Sequence, residues 1–361
     1  MAVLPGHTLL LEGKGSEAIR LSALGSAGSV ALALLIAAPM SLLFGLAYPL
    51  IQSHMALLLI LVVLIMLVSE KGEFVPGQGS LAHWKSRFYA LLVFLVSGSL
   101  GLIAFKLEYL MQPLLSLGEP SILLPLLSGL FGSSQLIISM LSNPVIPAQL
   151  PSRIELERKR IFRGIMVGGI SGSLVAWLPG ISSSIATVFA RLFIKQEFSK
   201  PSHAIRSLND ETDLAPSKEF IVSVSGVNTC NAIFGLFALA VISRSRNGAM
   251  VAVNELLGDI SLNSSNMLLF LCVISLTAIL SYFSTIFLGD NIHRSISKID
   301  YSLLAYTVIA VLAIMSLLFT GLFGLMIFIV ATPVGMLAPF LKIRKSHAMG
   351  VILLPVILYF I

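Results

Sequence analysis

Apolar segments about as long as a membrane is thick dominate this chain of 361 residues and constrain its fold more than any other feature. An α-helix needs about 20 mostly apolar residues to cross a hydrocarbon layer ~30 Å thick, because each residue adds ~1.5 Å. Apolar segments occupy residues 24–50, 55–68, 88–105, 122–141, 220–242, 267–288, 303–319, 322–341 and 350–361. The short segments 55–68 and 350–361 are expected to cross only partly or to need a flanking turn. The sequence therefore predicts an all-α polytopic membrane protein with about eight to ten transmembrane helices.

The amino-acid composition excludes several other classes of protein. Hydrophobic residues make up 57% of the chain and charged residues 11%, whereas an ordinary soluble domain is about 45–50% apolar and about 25% charged. This difference excludes a soluble globular protein and a disordered chain. The two cysteines, Cys230 and Cys272, both lie within apolar stretches, so neither a disulfide framework nor a thiol metal site is expected.

The distribution of positive charge predicts the orientation of the chain. The 23 Lys and Arg outnumber the 17 Asp and Glu, and basic residues cluster in the connections 71–87, 153–163, 294–298 and 342–345. Short basic connections of a membrane protein stay in the cytoplasm, so no nucleic-acid partner is needed to explain them. We predict a multi-pass protein of the cell membrane with a cytoplasmic N-terminus. In this topology residues 164–193 enter and leave the membrane on the same side.

Residues 164–193 are predicted to form a re-entrant hairpin. Pro179 and Gly180 lie near the middle of the segment, where proline removes a backbone donor and glycine permits a sharp turn. The two arms, 164–177 and 181–193, are each about 14 residues or roughly 20 Å long, which is too short to span the membrane. A turn at this depth is tolerated where it is buried in protein or lines a watery cavity.

Three consecutive serines, Ser182, Ser183 and Ser184, follow the predicted turn. They fall in the first turn of the returning helix, where backbone N–H groups have no partner within the helix. These donors, the positive end of the helix dipole and the hydroxyls together predict an anion site near the middle of the membrane, with Pro179 and Gly180 at its turn. The alternative is a plain kink whose serines bond back to the preceding turn.

A second polar cluster interrupts the apolar segment 220–242. Its small and amide residues are Ser223, Ser225, Gly226, Asn228, Thr229 and Asn231. Such residues are unfavourable in lipid unless they face partners, so the sequence predicts a helix that unwinds locally near Gly226. Ser225, Asn228, Thr229 and Asn231 are then expected to hold substrate or a cation. The alternative is close helix packing by small residues.

No catalytic residue is expected. Residues 169–172 match a G-x-S-G motif of intramembrane serine proteases, but all six histidines lie in connections or at the borders of apolar segments. A serine nucleophile needs a base within hydrogen-bond reach. Metal ligands and cofactors are not expected either, with Na⁺ kept as a candidate coupling ion because no carboxylate lies within a predicted span.

Three runs of residues resemble one family. They are GIMVGGISGSLVAWLPGISSSIATVFA at 164–190, LLPLLSGLFGSSQLIISM at 123–140 and EFIVSVSGVNTCNAIFGLFALAVI at 219–242. They resemble the TctA family, the large membrane subunit of tripartite tricarboxylate transporters, and its archaeal branch in particular. The family's re-entrant loop falls on Pro179, Gly180 and the three serines that follow.

This resemblance implies two inverted halves, each with a proline-glycine re-entrant loop, and transport of organic anions. It also implies two partners, a small membrane subunit and an extracytoplasmic solute-binding protein. The chain opens on residues that look like those following the family's first loop, so we expect an incomplete inverted repeat. The expected halves are 1–163, a partial first repeat, and 164–361, which holds the hairpin and the broken helix 220–242.

The leading functional hypothesis is a secondary transporter for a small organic anion such as a di- or tricarboxylate, which works by alternating access. A polyprenyl- or other lipid-phosphate flippase is an alternative, because a helix N-terminus binds a phosphate equally well. A non-transporting membrane scaffold is the third hypothesis. In each case membrane lipid surrounds the chain.

Overall fold

A computed structural model describes residues 6, 9–10, 12–70, 81–115, 120–142, 147, 149, 153–179, 181, 183–194, 214–245, 248–257, 264–296 and 301–361. In chain order, the α-helices are α1 (Gly15–Ser53), α2 (Met55–Val68), α3 (Leu81–Lys106), α4 (Leu123–Leu127), α5 (Ser134–Ser142), α6 (Arg158–Val175), α7 (Ser183–Phe193), α8 (Ala215–Ile242), α9 (Gly248–Leu257), α10 (Ser264–Ile296), α11 (Tyr301–Phe340) and α12 (Gly350–Phe360). A π-helical turn at Ser128–Ser133 joins α4 to α5. Short 3-10 helices occupy Glu108–Leu110 and Lys345–Met349.

These elements confirm the prediction of an all-α polytopic membrane protein. Within the described residues, six helical stretches are long and apolar enough to cross a membrane. The apolar segments 303–319 and 322–341 form two helical stretches of α11, which a non-helical bend at Gly321 (φ 71°, ψ −166°) separates. A β-carbon at Gly321 would overlap the backbone oxygen of Gln112, so both the bend and its close packing require glycine.

The chain divides into two compact units that alternate along the sequence. The first unit comprises Met1–Ala2, Ser53–Val145 and Lys298–Ile361, and the second comprises Val3–Gln52 and Ile146–Ser297. This division differs from the expected halves 1–163 and 164–361, whose boundary falls inside α6. The repeat organisation stays a prediction.

In the first unit, the interrupted helix made of α4, the π-helical turn and α5 packs against the part of α11 that follows Gly321. At Gly129 and Gly335 an added β-carbon would strike a backbone oxygen of the facing helix. The hydroxyls of Ser133 and Thr332 lie 2.6 Å apart across the same contact. Small residues therefore let the two backbones approach closely, as is typical of helices in membranes.

Buried polar contacts anchor the connection between α11 and α12 in the first unit. The Lys345 ammonium donates to the Phe131 carbonyl at 3.1 Å and lies 2.8 Å from the Ser134 hydroxyl, so it satisfies polar groups at the π-helical turn. His347 Nε2 lies 2.8 Å from a carboxylate oxygen of Glu70, and both side chains are buried. Basic residues of this connection thus fix it to neighbouring helices.

In the second unit, a stripe of glycines on α6 packs against the backbone of α8. At Gly168 and Gly172 an added β-carbon would overlap a backbone oxygen of α8, and at Gly164 it would stand 2.9 Å from one. Gly164 faces the carbonyl of Glu219, Gly168 faces that of Ser223 and Gly172 faces that of Val227. Both series advance by four residues, so α6 and α8 run parallel and side by side.

The predicted break in the segment 220–242 is wrong, because α8 is continuous from Ala215 to Ile242. A β-carbon at Gly226 would overlap the hydroxyl oxygen of Ser29 on α1, and one at Gly25 of α1 would overlap the backbone oxygen of Val222. The small residues of α8 therefore serve close packing against α1 and α6. Helix packing, the alternative reading of this cluster, explains Gly226.

Candidate functional site

The chain turns back between α6 and α7, as the sequence predicts. The Arg163 guanidinium, in the second turn of α6, donates a hydrogen bond of 2.8 Å to the carbonyl of Phe193, the last residue of α7. In one uninterrupted helix these two residues would lie about 45 Å apart. The two helices therefore form a hairpin whose open end brings together the start of α6 and the end of α7.

The closed end of the hairpin lies near the middle of a candidate membrane span. The Asn231 side-chain amide donates to the hydroxyl of Ser183, the first residue of α7, at 3.1 Å. Asn231 lies close to the midpoint of α8, which has 28 residues and is long and apolar enough to cross the membrane. The N-terminus of α7 thus starts about halfway along α8, the depth expected for a re-entrant hairpin.

Aromatic packing closes one side of the turn. Trp177 is fully buried and stacks on Phe44 of α1, with ring centroids 4.7 Å apart and planes 5° apart. The indole Nε1 is buried, and no hydrogen-bond partner for it occurs in the described part of the chain. Pro179 is half-buried beside it. Gly180 and Ser182, two predicted site residues, lie outside the described residues.

Two of the predicted site serines lie at the start of α7. Ser183 is half-buried and Ser184 is exposed. The Thr187 hydroxyl donates to the Ser183 carbonyl at 2.8 Å, while the Ser183 hydroxyl faces the Asn231 amide. The hydroxyl of Ser183 is therefore oriented toward α8, and the first backbone N–H groups of α7 have no partner within their own helix.

The polar residues of α8 separate into two groups. The Ser225 hydroxyl bonds to the Ile221 carbonyl at 3.0 Å and lies 2.8 Å from the Ser22 hydroxyl of α1, and the Thr229 hydroxyl donates to the Ser225 carbonyl. The Ser225 hydroxyl thus contacts α1, and the Thr229 hydroxyl is bonded within α8. Asn228, by contrast, is exposed and lies one turn from Asn231 on the same face. The structure thus joins Asn231 to the start of α7 and directs Ser225 toward α1.

Buried ion pairs that the sequence analysis missed lie where α6 and α8 begin. The Lys218 ammonium is 2.8 Å from a carboxylate oxygen of Glu17, and both side chains are buried. Glu219 is also buried and lies 3.8 Å from Arg160 and 3.6 Å from Arg163. One sequence feature could have indicated them: α1 and α8 each carry an acidic residue, Glu17 or Glu219, within the first two turns of a long apolar helix. Burial of a charge there requires a partner.

The fold and the site define a polytopic helical membrane protein in which a hairpin of two short helices, α6 and α7, lies beside the full-length span α8. Secondary transporters contain such discontinuous helices. The chain belongs to the tripartite tricarboxylate transporter TctA family, whose sequence profile matches residues 1–350. That family is a transporter family rather than an enzyme family. Its members normally work with a small membrane subunit and a solute-binding protein.

One archaeal relative is similar along the whole chain. This relative, the Uncharacterized protein MJ1079 of Methanocaldococcus jannaschii, is 24% identical over 369 residues, which cover 100% of this chain and 81% of that protein. The similarity agrees with the resemblance to the archaeal branch of the family. No solved structure matches the chain.

Proposed function

We propose that this protein is a permease that carries a small organic anion, a di- or tricarboxylate, across the cell membrane by alternating access. The observation that carries the proposal is the contact between Asn231 and Ser183 halfway along α8. It brings an amide of a full span to the N-terminus of a half-helix, where anions are stabilised. The proposed orientation has the N-terminus of the chain in the cytoplasm.

The donors at this site match the chemistry of a carboxylate. A carboxylate accepts hydrogen bonds only, and the start of α7 offers backbone N–H groups, the hydroxyls of Ser183 and Ser184 and the positive end of the helix dipole. Bonds to an ionised acceptor are stronger than neutral ones. The site therefore needs no basic side chain to hold an anion. Asn228 and Asn231 add amide donors from α8.

The exposure of Asn228 and Ser184 supports a water-filled cavity beside the hairpin. Both side chains are exposed near the level at which α7 begins. A polar side chain that faces hydrocarbon at this depth is unfavourable, whereas one that lines an aqueous cavity is not. A cavity of this kind is what a soluble anion requires, whereas a flippase would need a site that opens to lipid.

We further propose that Na⁺ drives the uptake and that the protein works with a small membrane subunit and an extracytoplasmic solute-binding protein. The buried acids of α1 and α8, Glu17 and Glu219, lie in the first two turns of their helices and are paired with basic residues, away from the start of α7. Hydroxyl, amide and carbonyl oxygens remain as ligands for Na⁺. The partners follow from the usual organisation of the family.

Binding can be measured with a tryptophan that the site supplies. The chain has two tryptophans, so a Trp84→Phe background leaves Trp177 as the only indole reporter, at the turn of the hairpin. We expect citrate or succinate to change its emission saturably, and the double variant Ser183→Ala with Asn231→Ala to weaken binding at least about tenfold. In proteoliposomes the same anion should enter faster with an inward Na⁺ gradient than with a proton gradient.

Ser173→Ala is the matched control, because Ser173 is a buried serine of α6 whose hydroxyl bonds only to its own helix at the Ile170 carbonyl among the contacts described. It should bind the anion with unchanged affinity. An emission that neither anion alters, or equal affinities for the control and the double variant, would contradict the proposal.

A further inference from the structure

We propose that Arg163 is a latch that holds the short helix α7 in place, and that its release opens the start of α7 toward the end of the second unit where α6 and α8 begin. The proposal rests on the proposed function in treating the start of α7 as the substrate site and in placing the start of α6 on the cytoplasmic side. It assigns a positioning role to a residue that does not touch the substrate.

Arg163 bridges three helices at the open end of the hairpin. It belongs to α6, it donates at 2.8 Å to the carbonyl of Phe193 at the end of α7, and its Nε lies 3.6 Å from a carboxylate oxygen of Glu219 on α8. The guanidinium also faces the negative end of the α7 dipole, which a cation stabilises. One side chain therefore ties the end of α7 to both helices that flank it.

Helix α7 depends on such ties because it is short. It has 11 residues, and most of the stability of a helix in a protein comes from its tertiary contacts. Its first residue, Ser183, is bonded to Asn231 of α8, and its last residue, Phe193, is bonded to Arg163. Between these two bonds, Ile185, Ala186, Val188 and Ala190 are buried. Loss of the contact at Phe193 therefore lets this end of α7 swing away from α6 about the contact at Ser183. This movement opens a path along the hairpin to the start of α7.

The exposure of Arg163 and the presence of a second arginine beside Glu219 make this contact releasable. The Arg163 side chain is 55% exposed, so water competes for its hydrogen bond and its ion pair, and each is weak. Glu219 is only 2% exposed and cannot be left without a cation. Arg160 lies 3.8 Å from the other carboxylate oxygen of Glu219. Arg160 can therefore neutralise Glu219 while Arg163 swings away from Phe193, so opening leaves no unpaired buried charge.

Labelling of a single cysteine at the start of α7 tests the latch. We would place Ser184→Cys in a chain whose two native cysteines are replaced by alanine, and react inside-out membrane vesicles with a membrane-impermeant maleimide. We expect Arg163→Gln to raise the labelling rate about fivefold, because it removes the bond to Phe193. Arg158→Gln, which alters an exposed arginine of the same helix, should leave the rate unchanged.

A second cysteine separates a local latch from general loosening. Leu174→Cys on α6 should label at the same rate with and without Arg163→Gln. At Ser184→Cys, Arg163→Lys keeps the charge beside Glu219 and should therefore give an intermediate labelling rate. Equal rates for Arg163→Gln and Arg158→Gln at Ser184→Cys, or a parallel rise at Leu174→Cys, would overturn the latch. Citrate binding reported by Trp177 is measured separately, so failure of the proposed substrate does not decide the result for the latch.

Discussion

Replacing Lys218 with methionine should lower the free energy of unfolding by about 3–5 kcal/mol, the usual effect of removing one partner from a buried ion pair. The Lys218 side chain is 5% exposed and that of Glu17 is fully buried, with 2.8 Å between the ammonium and the carboxylate. Methionine retains much of the apolar stem but leaves Glu17 charged, buried and without its cation. Chemical unfolding of the purified protein in mixed micelles measures the loss.

Lys14→Met is the matched control for this effect. Lys14 lies 3.4 Å from Glu155, and both side chains are solvent-accessible, so its removal should change stability by less than about 1 kcal/mol. Adding Glu17→Leu to Lys218→Met should restore most of the lost stability, since an apolar pair of similar volume replaces a buried ion pair at little cost. Equal losses in the free energy of unfolding for Lys14→Met and Lys218→Met would show that burial does not determine how much the pair of Lys218 and Glu17 contributes to stability.

Replacing Gly168 with leucine should prevent α6 and α8 from packing and should remove at least about 3 kcal/mol of stability. An added β-carbon already overlaps the Ser223 carbonyl, which is backbone inside a continuous helix and cannot rotate away. The helices would have to separate, and the hairpin that α6 supports would move with them. We expect a low yield of folded protein in detergent and no anion-dependent change in Trp177 emission.

Ile170→Leu provides the comparison for Gly168→Leu. Ile170 lies two residues farther along α6 and is exposed, so the same residue type is introduced on a face that is not packed. Its melting temperature should match that of the unaltered protein. A Gly168→Leu variant as stable as Ile170→Leu would mean that α6 and α8 do not touch in the membrane.

The helices and the hairpin could be predicted because their causes are local. Apolar length alone indicates a span, and the segment 55–68 matches α2 residue for residue. Pro179 stops a helix through its own ring, whatever surrounds it. The turn between α6 and α7 therefore follows from the sequence, while the depth of the turn became clear only from the contact between Asn231 and Ser183.

The continuity of α8 could not be predicted in the same way. Glycine in an apolar helix is compatible with a break and with close packing, and the decision depends on what faces it. At Gly226 the facing group is Ser29 of α1, nearly 200 residues away in the sequence. Likewise, a charge at the end of an apolar segment does not reveal its burial, so the pairing of Glu17 with Lys218 could not be read from their positions.

The hairpin itself is tested most directly by one distance between two spin labels. Phe162 on α6 and Leu192 on α7 are both exposed and flank the contact between Arg163 and Phe193. Labels on Phe162→Cys and Leu192→Cys, with the native cysteines replaced by alanine, can be measured by electron spin resonance in lipid nanodiscs. A hairpin should give a distance under about 25 Å, since the neighbouring residues touch. A distance near 45 Å, the length of a helix of about 30 residues, would contradict the turn and with it the anion site at the start of α7.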